Sequence, residues 1–289
     1  MAVVDQLREL AHRAATAEGL DRVGKPAASA VAKVVGRDPL KNLLSGTWMG
    51  HPLHPMLTDL PIGFWTSSWV LDVMGGKSSR AAAQRLIGLG ILSAVPTAAS
   101  GLSDWSDTIG DDRRVGTAHA LANSAALVLY SLSWLARRGG RRGRGLVLGQ
   151  LGAAAATAGG YLGGHLVFRL GVGPDRNAWK HGDDGWVDVG EDTALAADDP
   201  LVVKVGDDDV LVIQVAGVAC AISNVCGHAG GPLHEGTFDA GCVTCPWHGS
   251  MFQLADGHVV RGPATGHQPR YDVRSAGGRL SVRRVRGPA

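Results

Sequence analysis

Four long stretches without a polar face constrain the fold of this 289-residue chain more than any other feature. They are MLTDLPIGFWTSSWVLDVM (56–74), RLIGLGILSAVPTAASGLS (85–103), GTAHALANSAALVLYSLSWLA (116–136) and GLVLGQLGAAAATAGGYLGGHLVFRLGVG (145–173). Each is about as long as a helix must be to cross the hydrocarbon core of a bilayer. A helix on the surface of a soluble protein shows a polar stripe; these show almost none. They are also rich in Gly, Ala and Ser, which let membrane helices approach closely. The competing arrangement, four buried helices of a soluble bundle, needs amphipathic faces that are largely missing. The expectation is a four-helix transmembrane domain over 51–173, with the lipid bilayer as partner and an amphipathic N-terminal region over 1–50.

The loops orient such a bundle. Lys77 and Arg80 lie between the first two stretches, with Arg85 opening the second, and RRGGRRGRG (137–145) lies between the last two, so both basic groups fall on one side. The loop on the other side carries Asp104, Asp107, Asp111 and Asp112, offset by Arg113 and Arg114. An excess of Lys and Arg marks cytoplasmic loops. With an even number of crossings, both termini then lie outside the cytoplasm of a bacterial cell. The basic Lys25, Lys33, Arg37 and Lys41 of the N-terminal region pull the other way. Trp65, Trp69, Trp105 and Trp134 are expected as interface anchors. The formal net charge of +2 gives no reason to expect a nucleic-acid partner.

Beyond the fourth stretch the composition changes. Residues 174–185 read as a linker. Then come PLVVKVG (200–206), DVLVIQV (209–215), VACAIS (218–223), HVVRG (258–262) and YDVRSAGGRLSVRR (271–284). These runs are Val-rich, alternate in part, and are separated by Gly and Asp turns. They predict a small antiparallel all-β domain over 186–285, so the chain as a whole is an α + β multidomain protein. All four cysteines fall between 220 and 245, a clustering that favours a metal or redox site over a disulfide framework.

Within that cluster stand two Cys/His pairs, Cys226-Gly227-His228 and Cys245-Pro246-Trp247-His248. Two loops with a pair each can supply four ligands to one site. Two chemistries fit: a tetrahedral zinc with two Cys and two His, or a [2Fe–2S] cluster with two Cys on one iron and two His on the other. A Cys and a His with one residue between them reach two different irons more easily than one tetrahedral ion. The surroundings, CGHAGGPLHEG (226–236), CPWHGSMFQLADG (245–257) and RGPATG (261–266), closely resemble Rieske ferredoxin domains over roughly 186–285. The resemblance implies a small antiparallel sandwich with two cluster-binding loops. It implies that Cys226 and Cys245 hold the inner iron, that His228 and His248 hold the outer one, and that Gly262 and Pro263 lie in a loop covering the cluster. Quinol-oxidising members of the family carry two further cysteines that bridge the ligand loops. Gly231 and Trp247 stand at those positions here, so that bridge cannot form. Those members also place a Ser and a Tyr near the cluster sulfurs. Ser250 is kept, and Phe252 replaces the Tyr. A reduction potential below that class is expected, because hydrogen bonds to sulfur raise it.

The membrane half has a signature of its own. GHPLHPMLTDLPIGFW (50–65), TAHALAN (117–123) and GYLGGHLVFRLGVG (160–173) resemble a family of uncharacterised bacterial four-helix membrane proteins with an HPxHP motif, over roughly 45–173. In the predicted topology His51 and His54 precede the first helix, His119 starts the third and His165 ends the fourth. All four are then at one membrane depth, with Asp59 nearby. Ionisable residues within a bundle are functional candidates. Paired histidines can clamp a haem b iron or hydrogen-bond a quinone; they can equally satisfy helix ends as polar packing.

Together these features predict a membrane-anchored electron-transfer protein, an electron carrier or oxidoreductase subunit more than a complete enzyme. Its redox partner is another protein or a quinone. The alternatives are a ferredoxin-like component feeding a separate oxygenase or reductase, and a redox sensor. A complete Rieske oxygenase needs a second iron on two His and a carboxylate, and nothing after 285 is expected to hold one.

Overall fold

The computed structural model describes residues 2–36, 38–183, 185–195 and 199–286. Arg37, counted above with the N-terminal basic residues, lies outside them, as do Asp184 of the expected linker and residues 196–198 of the expected β-domain. The chain divides into two compact units. One comprises residues 1–37 and 53–172, the other residues 38–52 and 173–289.

The helical unit contains α1 (Ala2–Thr16) and α2 (Asp21–Val35), then four long helices, after a short helix α3 (Leu40–Ser45) that belongs to the other unit. The long helices are α4 (Leu53–Met74), α5 (Arg80–Ser106), α6 (Gly110–Arg138) and α7 (Arg142–Phe168). They coincide with the four apolar stretches. Among the described residues two of them, α5 and α6, are long and apolar enough to cross a membrane. The expectation of four such helices is therefore met by two. The reason is compositional. Asp59, Asp72 and a run of Thr and Ser dilute α4, while α7 opens on Arg142 and Arg144 and is rich in glycine, which adds no apolar side chain.

The packing of these helices is inverted relative to a water-soluble bundle. Their large apolar side chains point outward: Val70 and Val73 on α4, Leu92 and Val95 on α5, Val128 and Leu135 on α6, Val147 on α7. Small and hydroxylated residues face inward, among them Ser68, Ser100, Ser103, Ser133, Gly145, Gly149 and Gly159. Hydrocarbon outside and small residues inside is the pattern that close helix approach in lipid requires. Trp65, expected as an interface anchor, is instead buried. It stacks on Tyr130 at 4.3 Å between ring centroids, and Gly90 beside it leaves no room for a Cβ. At the opposite end of α4 from the HPxHP motif, Asp72 is held by Arg137 at 2.8 and 2.5 Å and by Arg142 at 3.3 Å.

Among the described residues the β unit has ten strands: β1 (Val187–Glu191), β2 (Leu201–Val205), β3 (Asp208–Val215), β4 (Val218–Ser223), β5 (Thr237–Asp239), β6 (Cys242–Thr244), β7 (Met251–Gln253), β8 (Val259–Arg261), β9 (Arg270–Ala276) and β10 (Arg279–Arg284). They form a six-stranded sheet in the order β1-β10-β9-β4-β3-β2 and a four-stranded sheet in the order β5-β6-β7-β8, all pairs antiparallel. Alternation along β3 builds two cores. Val210 and Val212 face Tyr271, Leu280 and Val282. Leu211 and Ile213 face Val243, Phe252, Leu254 and both Cys226 and Cys245. The second core carries the four-stranded sheet and its two connecting loops.

The stretch 174–185, expected as a linker, adds side chains to this unit. Asn177 donates to the Val225 carbonyl and the Gln268 side chain, both at 2.8 Å, and accepts from Ser223. Lys180 pairs at 2.7 Å with the buried Asp208, which also accepts from Ser223 and Tyr271. The polar composition that reads as a linker is that of a buried hydrogen-bond network. It fixes the residue before Cys226.

Candidate metal centre

Two loops of the same construction meet above the second core. In each, a cysteine amide donates five residues ahead, Cys226 to Gly231 at 2.9 Å and Cys245 to Ser250 at 2.8 Å. In each, the cysteine carbonyl accepts from a glycine four residues on, Gly230 at 2.8 Å and Gly249 at 3.1 Å. Those glycines adopt φ of 88° and 76°, left-handed values that other residues reach only with strain. Each loop thus curls around its own backbone and presents Cys and His from one turn.

The thiols lie inside. Cys226 and Cys245 are 1% and 3% exposed and hydrogen-bonded to each other. That bond, joined by the backbone N–H groups of Trp247 and His248, draws the Cys245 thiol down to about 6. The same bond and burial push Cys226 up. The imidazoles lie outside and are half-buried, their ring centroids 5.0 Å apart and nearly perpendicular. Burial, then the charges of His248, Lys41 and Arg176, lowers His228 to about 3, which keeps it neutral as a ligand must be. Its Nδ1 is buried without a hydrogen-bond partner. Such an atom is costly unless something else binds it.

The donors fall into two pairs. Thiols inside and imidazoles outside fit a [2Fe–2S] cluster by the chemistry of the donor set. There is no space for a bridge between the loops: a Cβ at Gly231 would meet Cys245 Sγ at 2.8 Å and Trp247 Cγ at 3.0 Å. All four cysteines are free. Ser250, fully buried, accepts from the Ala264 N–H at 2.9 Å, which leaves its own hydroxyl proton to donate. Phe252 is fully buried in the core below. Gly262 and Pro263 are buried in the loop that follows β8.

In the helical unit His54 and His119 come together, centroids 6.3 Å apart and perpendicular. Each turns Nδ1 to a backbone carbonyl, Thr97 at 2.9 Å and Gly159 at 2.8 Å. Asn123 stands 3.3 Å from His119 Nε2. His165 has Tyr161 at 6.4 Å between centroids. His51 belongs to the other unit and turns Nδ1 toward its neighbour's Pro52 carbonyl.

Two contributors near the metal centre escaped the sequence. Asp175 lies so close to Gly227 and Gly266 that a Cβ at either would meet its carboxylate at 2.7 or 3.0 Å. Asn42 hydrogen-bonds the loop of Gly262 from 220 residues away in the chain. No local pattern signals a contact of that range.

Comparison with known proteins gives the same division. The model of the Rieske [2Fe-2S] domain matches residues 185–272, and that of a predicted membrane protein family (DUF2231) matches residues 50–176. The anthranilate 1,2-dioxygenase ferredoxin subunit of Burkholderia cepacia is 26% identical over 97 residues, 34% of this chain and 90% of that protein. Mouse apoptosis-inducing factor 3 is 30% identical over 81 residues, 28% of this chain, which spans only 13% of that protein's length. Among solved structures, the ferredoxin of carbazole 1,9a-dioxygenase from Nocardioides aromaticivorans IC177 is 30% identical, with 34% of this chain and 96% of that chain covered and a TM-score of 0.33. Residues 185–272 are a Rieske [2Fe-2S] domain, and residues 50–176 are a DUF2231 predicted membrane protein domain.

Proposed function

We propose that this chain is a membrane-anchored electron carrier whose [2Fe–2S] cluster is held by Cys226 and Cys245 on one iron and by His228 and His248 on the other. The observation that carries the reading is the pairing itself: two buried thiols in mutual contact beneath two imidazoles 5.0 Å apart. When bound, the cluster supplies one-electron acceptance and release. The residues supply the rest. Cys245 is poised as a thiolate, His228 is kept neutral, and the half-buried imidazoles face the side from which a partner exchanges electrons. The inverted packing of α4 to α7 supports four crossings, and the arginine-rich 137–145 loop supports a cytoplasmic position for that end, with the Rieske domain outside. The ferredoxin subunits of dioxygenases among the similar proteins support a protein partner.

The Ser250 hydroxyl tunes the potential in this reading. Ser250→Ala removes one hydrogen bond to the cluster, of about 0.5–1.5 kcal/mol. For one electron that lowers the midpoint by about 20–60 mV. An unchanged midpoint in redox titration contradicts the role given to Ser250.

A haem b or a quinone at His54 and His119 extends the reading into the helices. Its support is the meeting of the two rings and the shared turn of Nδ1 to backbone carbonyls, which is how a protein orients imidazoles for a ligand at Nε2. Protein extracted from haem-supplied cells then shows a Soret band that His119→Ala abolishes. A spectrum without a Soret band contradicts the haem.

A further inference from the structure

Residues 38–52, which precede the first long helix in sequence, fold with the Rieske domain. They lie against the loop that runs from β8 through Gly262 to Ala264. Asn42 grips that loop twice: Oδ1 accepts from the Gly262 N–H at 2.9 Å, and Nδ2 donates to the Val260 carbonyl at 3.2 Å. Thr47 donates to the Ala264 carbonyl at 3.2 Å, and Asp38 pairs with Arg261 at 3.2 Å. The fit is close, since a Cβ at Gly262 would meet Thr47 Oγ1 at 2.8 Å and Ser45 Cβ at 3.4 Å. The same loop is fastened on its far side by Ser250, which follows the His248 turn.

We propose that residues 38–52 form a clamp on the cluster-covering loop, with Asn42 as the positioning residue. The proposal rests on the Rieske reading above. Asn42 holds the Gly262 N–H and Thr47 the Ala264 carbonyl, while the Ala264 N–H fixes the Ser250 oxygen. A loop released from the clamp leaves the Ser250 hydroxyl less well placed to donate to the cluster, so the clamp raises the reduction potential.

The test uses the full-length, detergent-solubilised protein. Iron content and spectrum are recorded first, then the midpoint potential, then hydrogen exchange at the Gly262 and Ala264 amides. Asn42→Ala speeds exchange at both amides at least tenfold and shifts the reduction equilibrium at least threefold toward the oxidised form, equivalent to about 28 mV for one electron. Unchanged exchange in Asn42→Ala overturns the clamp, and an equilibrium within twofold of wild type overturns its effect on the potential. If Asn42→Ala loads no cluster, Thr47→Val decides by the same two readouts. Wild-type protein without iron speaks against the Rieske reading instead, and the exchange rates still report on the clamp.

Discussion

Cys245→Ser and His228→Ala proteins lose the cluster altogether: no iron, no visible colour and no low-g paramagnetic signal. Cys226 and Cys245 share one hydrogen bond inside the second core, so a serine at 245 keeps the shape but not the soft thiolate that iron–sulfur chemistry needs. Removing the His228 ring opens the outer iron to water and a single imidazole. Outer partners of metal ligands already cost 10–100-fold in affinity when changed; loss of a ligand exceeds that. Neither substitution falls in the helical unit, so both variants are expected to extract in detergent like wild type. Retention of a full cluster signal in either variant contradicts the ligand assignment.

Asp72→Ala destabilises the helical unit by about 3–5 kcal/mol, the cost of leaving one member of a buried ion pair alone. Arg137 and Asp72 have side chains only 3% and 6% exposed. Without Asp72 the Arg137 guanidinium keeps a hydrogen bond to Ser133 at 3.2 Å and loses both carboxylate contacts. In detergent the unit's melting temperature falls by about 6–20 °C, at roughly 2–4 °C per kcal/mol for a unit of this size. The double change Asp72→Ala with Arg137→Leu recovers most of the loss, because no charge is then stranded. A double variant as unstable as the single one shows that the pair contributes packing and little charge compensation.

What was legible in the sequence follows from range. The two Cys/His pairs were legible because each sits in one turn, with the turning glycines Gly230 and Gly249 four residues after the cysteines. The long helices were legible because their apolar runs are continuous. Length and average hydropathy single out α5 and α6 among the described residues; inward-facing Ser, Thr, Asp and Gly lower the average of α4 and α7 while leaving the outer face apolar. Trp65 reads as an interface residue until Gly90 is seen to make room for it. Strands β5, β6 and β7 are three residues each, too short for any alternation to register. The linker and the N-terminal region misled for one shared reason. Asn177, Lys180 and Asn42 look like solvent-exposed polar residues, and their partners lie 28 to 220 residues away.

The central claim is that two loops hold two bridged irons, with sulfur inside and imidazole outside. Metal and sulfide analysis of the full-length protein, with pulsed paramagnetic resonance of its reduced form, tests it most directly. The account predicts about two irons and two acid-labile sulfides per chain, with nitrogen couplings from two imidazoles that vanish in the His228 and His248 variants. Stoichiometric zinc without iron or sulfide, or a cluster signal with no nitrogen coupling, contradicts it.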